Sequence, residues 1–122
     1  MRNFTTVKEF KVGQFDIIVD WTYEDTSIRD CFDKFDSQFE EMERRCRAYI
    51  DTHYVARVRA MYDGVEMGSD YLGSCYAYDC DPEDDINDGI GGYLEQMISA
   101  ALSEAQDEAV RMLDRLKQDF LS

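Results

Sequence analysis

Alternating apolar and polar residues near the start of the chain predict a β-hairpin. The segment FKVGQFDIIVDW, residues 10–21, carries β-branched and aromatic side chains on both sides of Gly13. Such residues favour strands, and a glycine between two such runs is typical of a turn. We therefore expect two antiparallel strands that are joined near Gly13.

A helical period replaces this alternation after the hairpin. Apolar residues then recur every three or four positions along one stripe, which consists of Phe32, Phe35, Phe39, Met42, Cys46 and Tyr49. That spacing predicts one amphipathic helix. Asp25, Thr26 and Ser27 are the residues expected to provide its N-cap.

The outer face of this helix alternates in charge. Its acid-before-base pairs at i,i+4 are Glu40 with Arg44, Glu41 with Arg45, and Glu43 with Arg47. This orientation stabilises a helix. We expect the arginines to be neutralised by their own helix, which argues against a nucleic-acid-binding surface here.

A second hairpin and a second helix repeat this layout. Residues 54–62, YVARVRAMY, alternate again, and Asp63-Gly64 is a strong signal for a two-residue turn. The return strand is expected over residues 65–78, with a bulge or break at residues 68–70. A long helix is expected from about Gly92 to Phe120. Its apolar face comprises Leu94, Ile98, Ala101, Ala105, Ala109, Met112, Leu116 and Phe120.

The order of these elements predicts an α+β fold. In the ββα–ββα order, the simplest packing is a four-stranded antiparallel sheet with two helices on one face. The chain has one proline and no linker-like tract, so we expect residues 1–122 to form a single domain. No apolar run is long enough to span a bilayer and no signal peptide is recognisable, which predicts a cytoplasmic protein.

The charge of the chain is concentrated in one block. Between Ala60 and Val110 there are thirteen acids and no Lys, Arg or His, whereas the rest holds fourteen acids against thirteen Lys and Arg. The formal net charge of −14 is therefore almost entirely a property of this block. Such a block repels nucleic acid and anionic membranes and attracts basic surfaces.

The densest part of the block is the run DCDPEDDIND, residues 79–88. Asp79, Asp81 and Glu83 match the first three ligand positions of a calcium-binding loop. However, Asp84 stands where such a loop needs Gly, and Ile90 stands where it needs Glu. Weak binding of a divalent cation is left as an alternative. Acids before a helix also complement its positive end, but six acids in ten residues exceed what one helix needs.

No catalytic, metal-binding or cofactor-binding set stands out. The four cysteines, Cys31, Cys46, Cys75 and Cys80, contain no C-x-x-C pair, and His53 is the only histidine. This spacing indicates neither a zinc site nor a nucleophile–base pair. We expect the thiols to be reduced and packed as small hydrophobic side chains. The sequence thus predicts a protein without enzymatic activity, cofactor or metal.

Tyrosines are interleaved with the acids on the predicted return strand. Tyr76 and Tyr78 share one face of this strand, and Cys75 and Ala77 share the other. If the smaller pair lies under a helix, the tyrosines point outward, where their large rigid side chains suit an interface. The reverse arrangement is left open.

Two motifs in the second half of the chain carry a family resemblance. They are YLGSCY, residues 71–76, and GYLEQMISAALSEA, residues 92–105. They resemble small uncharacterised proteins of phages and mobile elements, in which a YLGGC-Y strand leads through a few acids to YY-x-DM-x-x-x-A-x-x-EA. Ser74 replaces a glycine of that pattern, and the acidic stretch is longer here. The resemblance covers residues 71–105 and brings no catalytic residues.

The resemblance implies a phage or mobile-element origin and the cytoplasm of a bacterial host. Small acidic proteins from that setting are often anti-defence factors, such as anti-CRISPR proteins and restriction inhibitors that imitate DNA. The leading hypothesis is therefore an inhibitor that binds the basic nucleic-acid-binding surface of a CRISPR effector or restriction enzyme, without binding nucleic acid or membrane itself. The alternatives are an accessory interaction module that is acidic for solubility alone, and a weak divalent-metal-binding protein.

The residues expected to bind the partner are the acids and tyrosines of the second hairpin and the loop after it. They are Asp63, Glu66, Asp70, Tyr71, Tyr76, Tyr78, Asp79, Asp81, Glu83, Asp84, Asp85 and Asp88. The long terminal helix also has enough apolar positions to cover a sheet and present a seam to a second copy, which is compatible with a homodimer.

Overall fold

The computed structural model describes residues 3–121. In chain order its elements are β1 (Thr5–Val12), β2 (Phe15–Tyr23), α1 (Ile28–Cys31), α2 (Asp36–Arg47), β3 (Thr52–Tyr62), β4 (Val65–Ala77), α3 (Pro82–Asn87), a 3-10 turn (Ile90–Gly92) and α4 (Tyr93–Phe120). The four strands form one antiparallel sheet in the order β1-β2-β3-β4. The predicted α+β fold with a four-stranded antiparallel sheet is confirmed.

Both hairpin turns lie where the sequence places them. Gly13 has a φ of +60°, and Asp63 and Gly64 have φ values of +49° and +78°. Two consecutive residues with positive φ twist the backbone in the sense that suits adjacent antiparallel strands. Short, chirally matched turns of this kind fix the register of each hairpin.

One face of the sheet forms the hydrophobic core beneath α4. Ile17 and Val19 of β2 pair with Ala60 and Val58 of β3, so these four side chains share that face. Cys75 and Ala77 belong to the same buried cluster, and so do Leu94, Met97, Ala101 and Ala105 of α4. The small side chains of Cys75 and Ala77 therefore lie under α4, and the larger side chains of Tyr76 and Tyr78 do not.

Gly68 sets how closely α4 approaches the sheet. A Cβ atom at this position would lie 2.2 Å from the carbonyl oxygen of Ala101 and 2.6 Å from the amide nitrogen of Ala105. The sequence predicted a bulge or break at residues 68–70. Strand β4 runs through these residues without a break, and bulges lie beside them, at Met67 next to Gly68 and at Gly73 and Ser74.

The second helical layer lies against the opposite face, at one end of the sheet. His53 and Tyr76 pair with each other next to the buried pair Tyr54 and Cys75, so they point away from α4. The ring of Phe32, just after α1, lies 5.7 Å from the His53 ring and 6.1 Å from the Tyr76 ring. The predicted placement of two helices on one face is thus corrected to helices on opposite faces.

The first predicted helix is also divided in two. Ser27 caps α1 by accepting a hydrogen bond from the Arg29 amide, but the backbone at Phe32 is extended and α2 begins only at Asp36. Phe32 instead packs on the sheet. With α3 and the 3-10 turn, the order becomes ββααββ followed by three helical segments. The predicted helix is thus interrupted where the half-buried ring of Phe32 contacts the sheet.

Two of the three arginines of α2 are paired, but with other partners than the predicted ones. Arg44 binds Glu41, and Arg45 binds Asp51 at the start of the next strand. Glu43 accepts from Arg29 of α1, so the two short helices are linked by an ion pair. Arg47 is exposed and has no ion-pair partner among residues 3–121, so the expected neutralisation within the helix holds for Arg44 alone.

We predict that Gly68→Ala destabilises the protein, because the added methyl group collides with the backbone of α4. Overpacking of this kind costs up to ~3 kcal/mol in free energy of unfolding. Gly73→Ala on the same strand is the control, because its added Cβ would approach no backbone of another element and only one side-chain atom, a carboxylate oxygen of Glu24 at 3.2 Å. Urea denaturation should show the larger loss for Gly68→Ala, and equal losses would contradict this account of the helix packing.

Candidate functional site

The acidic block does not form one patch, because its parts lie at opposite ends of the second hairpin. Asp63 occupies the turn between β3 and β4, whereas residues 79–88 follow the far end of β4. Strand β4 contains 13 residues. At about 3.3 Å per residue the two ends are separated by roughly 40 Å. Glu66 is exposed near the turn, and Asp70 is half-buried opposite Val58.

The strongest concentration of free carboxylates is on α3. Asp81 precedes this helix and Pro82 is its first residue, so the run turns helical immediately. The α3 acidic cluster, as we define it, consists of four exposed residues, Asp81, Glu83, Asp84 and Asp88. Among residues 3–121, no Lys, Arg or His forms an ion pair with any of them. Their charge is therefore available to a partner.

Asp85 belongs to the fold and not to this cluster. It is half-buried, and its carboxylate accepts a hydrogen bond from the hydroxyl of Tyr54, a side chain buried in the core. Burial and this bond raise the pKa of Tyr54, so the hydroxyl keeps its proton. The bond fixes α3 to the sheet and holds the four exposed carboxylates in place.

A second buried carboxylate, Asp51, joins three parts of the chain. It accepts two hydrogen bonds from the Arg45 guanidinium, at 2.8 and 3.1 Å, one from the Tyr76 hydroxyl, and one from the Asp79 amide at 2.8 Å. Burial alone would raise the pKa of Asp51, but these donors outweigh it, and the pKa lies below its usual value. Tyr76 and the backbone of Asp79 are thus structural. The sequence pattern gives no sign of the role of Asp51.

Two of the predicted tyrosines are exposed. The Tyr78 side chain is 68% exposed, and the Arg45 guanidinium lies 4.6 Å from the centre of its ring. This stacking holds the ring beside the backbone of Asp79. Tyr71 is 52% exposed but lies opposite Arg57 on the face of the sheet away from α4. Tyr78 adjoins the acidic run in sequence, but its ring lies against α2.

The face of the sheet away from α4 carries a compact polar network. Asp20 is buried and accepts hydrogen bonds from Arg57 at 2.8 and 2.6 Å and from Arg59 at 3.2 Å. The ring of Phe4 covers Arg57 at 3.6 Å. These arginines are tied to Asp20, and they lie on strand β3 and not beside the α3 acidic cluster.

Three possible metal ligands meet on the same face, at the end nearest α1. One ligand atom each of Glu24, Cys31 and His53 lies within 4.8 Å of the others. Within residues 3–121, this grouping does not include the carboxylates of residues 79–88, where the calcium-loop alternative was placed. Burial lowers the pKa of His53 more than the nearby Glu24 raises it, so the ring is neutral near pH 7.

Comparisons with known proteins returned no match among family models, curated proteins or solved structures. The resemblance of residues 71–105 to phage and mobile-element proteins therefore stays a prediction. In the part of the chain that the structure describes, no helix has the length and apolarity needed to cross a membrane.

We predict that Asp51→Asn destabilises the fold, because the amide group offers donors where Arg45, Tyr76 and Asp79 also donate. Breaking a buried, hydrogen-bonded ion pair costs roughly 3 kcal/mol in free energy of unfolding. The matched control is Asp16→Asn, since the pair of Asp16 with Lys11 is exposed. That control should lose less than about 1 kcal/mol.

The same carboxylate predicts a pH dependence of stability. A group whose pKa is lowered by folding stabilises the native state above its unfolded pKa, and this contribution is lost as pH falls through the folded pKa. The wild type should therefore lose stability below about pH 4. Denaturation curves at several acidic pH values should show a shallower loss for Asp51→Asn. An identical pH profile for the two proteins would contradict the assignment.

Proposed function

We propose that this protein binds the basic, nucleic-acid-binding surface of a host defence complex of the CRISPR-effector or restriction-enzyme type and blocks access of nucleic acid to it. The observation that carries this proposal is the α3 acidic cluster, four exposed carboxylates without a cationic partner among residues 3–121. The proposal centres the contact on α3, at the end of the sheet away from the Asp63 turn.

Charge spacing supports this choice. The four carboxylates of the α3 acidic cluster fall within residues 81–88, roughly 10 Å of helix axis at about 1.5 Å per residue, and duplex DNA carries one charge per roughly 1.7 Å of axis. A surface that displays Lys and Arg to DNA therefore meets a comparable density of negative charge on α3. Electrostatic attraction of this kind also accelerates encounter.

Rigidity supports it as well. The Tyr54–Asp85 hydrogen bond holds α3 on the core, and Asp51 holds the backbone of Asp79 just before it. Tyr78, three residues before Asp81, has an exposed ring, but that ring stacks on Arg45 of α2. The arrangement supplies a fixed charged centre on α3.

The test compares two variants that each lose four carboxylates. The first is Asp81→Asn, Glu83→Gln, Asp84→Asn and Asp88→Asn. The matched control, at the other end of the molecule, is Asp63→Asn, Glu66→Gln, Glu104→Gln and Asp107→Asn, all of which are exposed. Each tagged protein is used to capture proteins from a bacterial lysate, and duplex DNA is then added as competitor at low and moderate salt.

We expect the wild type and the control to retain a DNA-binding protein that duplex DNA releases, and the α3 variant to lose it. Captured protein should fall steeply between about 50 and 200 mM salt, as ion-pair interfaces with phosphate-binding surfaces do. Equal capture by the α3 variant would overturn the proposal. It would favour the reading in which acidity serves solubility alone, and that reading also predicts a slightly more stable neutralised protein.

A further inference from the structure

The fold brings together Glu24, Cys31 and His53, which are far apart in sequence. The Glu24 amide donates to the His53 carbonyl at 3.0 Å, so these two residues are neighbours just past the paired ends of β2 and β3. Cys31 is the last residue of α1, and the next residue, Phe32, packs on the His53 ring. Three separate elements therefore each supply one of the three side chains.

These side chains offer a mixed set of donors at short range. A thiol sulfur, an imidazole nitrogen and a carboxylate oxygen lie within 4.8 Å of one another. Ligand atoms of a tetrahedral zinc site are separated by roughly 3.5 Å, given bonds of about 2.0–2.3 Å. Side-chain movements of about 1 Å would bring the three ligand atoms to the separations of a zinc site.

One ring nitrogen of His53 is left without a partner among residues 3–121. The His53 side chain is buried, and its Nε2 atom has no hydrogen-bond partner among the residues the structure describes. An unsatisfied buried polar atom is unfavourable and rare in native structures. Metal coordination would satisfy an imidazole nitrogen at this position.

Glu24 is already oriented by its surroundings. Its Oε1 atom accepts a hydrogen bond from the Ser74 amide at 2.9 Å, and Gly73 leaves space beside that oxygen. Hydrogen bonds from outer groups commonly fix the orientation of metal-binding carboxylates. A cavity of about 270 Å³, lined by Glu24 and His53 among others, adjoins the set and provides room for a fourth ligand.

We propose that Glu24, Cys31 and His53 form a zinc site with three protein ligands and one position open to water. The donor set determines the metal: thiolate and imidazole suit Zn²⁺, whereas Ca²⁺ and Mg²⁺ require oxygen ligands. This inference is independent of the proposed binding function of α3.

The experiment uses the full chain after treatment with a chelator, titrated with Co²⁺ and then with Zn²⁺. Bound Co²⁺ gives a thiolate-to-metal charge-transfer absorption only if a cysteine is a ligand. The variants are Cys31→Ser, His53→Gln and Glu24→Gln. The control is Cys80→Ser, since Cys80 is also a half-buried free thiol and lies beside the acids of residues 79–88.

We expect one equivalent of Co²⁺ to give the absorption in the wild type and in Cys80→Ser, and Zn²⁺ to abolish it by displacement. Cys31→Ser should lose the absorption. His53→Gln and Glu24→Gln should weaken Zn²⁺ affinity by at least about tenfold, the minimum seen when even a supporting group is removed. A wild type without thiolate absorption, or an absorption that survives Cys31→Ser or disappears in Cys80→Ser, would overturn the proposal.

A second inference rests on a different feature, the half of α4 that extends past the sheet. The buried residues of α4 end at Ala105, yet the helix continues to Phe120. Large apolar side chains are exposed along this extension: Val110, Met112, Leu113, Leu116 and Phe120. A groove of about 850 Å³ runs beside it, with a lining that includes Phe15, Tyr62 and Val65. Apolar surface of this extent on a helix marks an interaction site.

Charge along this segment indicates what covers it. Glu108 is nearer the part of α4 that covers the sheet, and Arg115 comes seven residues, or about two turns, later. Seven steps of about 100° bring the two side chains to the same flank of the apolar stripe. Arg115 has no ion-pair partner among residues 3–121. Glu108 already binds Arg111 of its own helix through Oε2, at 3.0 and 2.7 Å, which leaves its Oε1 atom for a further donor. In an antiparallel pair of α4 helices centred near Met112, that atom of each copy faces Arg115 of the other. A parallel pair would place Glu108 level with Glu108.

The apolar residues fit the same alignment. Centred near Met112, the antiparallel pair sets Ala109 of one copy opposite Leu116 of the other, so a small side chain meets a large one. Phe120 of each copy then reaches the level of Ala105, where the partner's groove begins beside Met67. We infer that a second copy of this chain covers the outer half of α4, in a two-fold antiparallel helix pair.

Sedimentation equilibrium of the full chain tests this inference. The paired substitution Leu113→Asp and Leu116→Asp should give a monomer, whereas Phe35→Asp, at an exposed aromatic residue far from α4, should leave a dimer. Arg115→Glu should weaken dimerisation by about tenfold, because two symmetry-related pairs are lost. Adding Glu108→Arg to Arg115→Glu should restore it.

A monomeric wild type over the accessible concentration range would overturn this inference. So would a dimer that tolerates Leu113→Asp with Leu116→Asp, because another surface would then hold the copies together. Failure of Glu108→Arg to rescue Arg115→Glu would overturn the antiparallel alignment.

Discussion

The carboxylate of Asp51 is the interaction on which the arrangement of this molecule depends. The residue precedes β3. Its two oxygens accept hydrogen bonds from Arg45 near the end of α2, from Tyr76 near the end of β4 and from the Asp79 amide in the backbone that leads into α3. A buried charge needs such a complete set of donors, because an incomplete set leaves it unstable. The end of α2, the end of β4 and the backbone before α3 are therefore positioned by the same requirement. At the opposite end, where the hairpin turns lie, no buried carboxylate among residues 3–121 has an equivalent role.

Two buried carboxylates divide the polar face of the sheet between them. Asp20 gathers Arg57 and Arg59 at its middle, and Asp51 gathers Arg45 and Tyr76 at its end. Arginine satisfies such sites with two parallel hydrogen bonds in a fixed geometry. Several of the few cations of an acidic chain are thus used internally. Their removal from the surface is one reason why the carboxylates on α3 have no partner.

Local pattern predicted the sheet well, because hairpins are decided by neighbours in sequence. Asp63-Gly64 sets its own backbone geometry, and alternation puts Cys75 and Ala77 on one face of β4 and Tyr76 on the other. Alternation left open which of these faces is buried, and packing against α4 decides it. The long helix was also predicted from local pattern. Its apolar period is uninterrupted from Leu94 to Phe120, although its buried part ends at Ala105.

What the pattern missed depends on contacts between distant residues. Phe32 fits a helical stripe, but its backbone is extended and its half-buried ring packs against His53, and no local feature predicts that contact. Gly68 looks like a strand break because the helix that needs its missing Cβ lies more than thirty residues away. The sequence likewise shows six acids among residues 79–88, but it does not show that the Asp85 side chain binds Tyr54. Sequence spacing alone does not reveal which of these carboxylates is buried.

The hydrogen bond between Tyr54 and Asp85 has a consequence for the energetics of recognition. It ties a surface helix of six residues to a side chain in the centre of the core, although so short a helix has little stability of its own. A charged loop of the same composition would have to be ordered when a partner arrives, and that loss of entropy would be subtracted from its affinity. Here the ordering has been completed during folding, so the electrostatic attraction of α3 is available to binding almost undiminished.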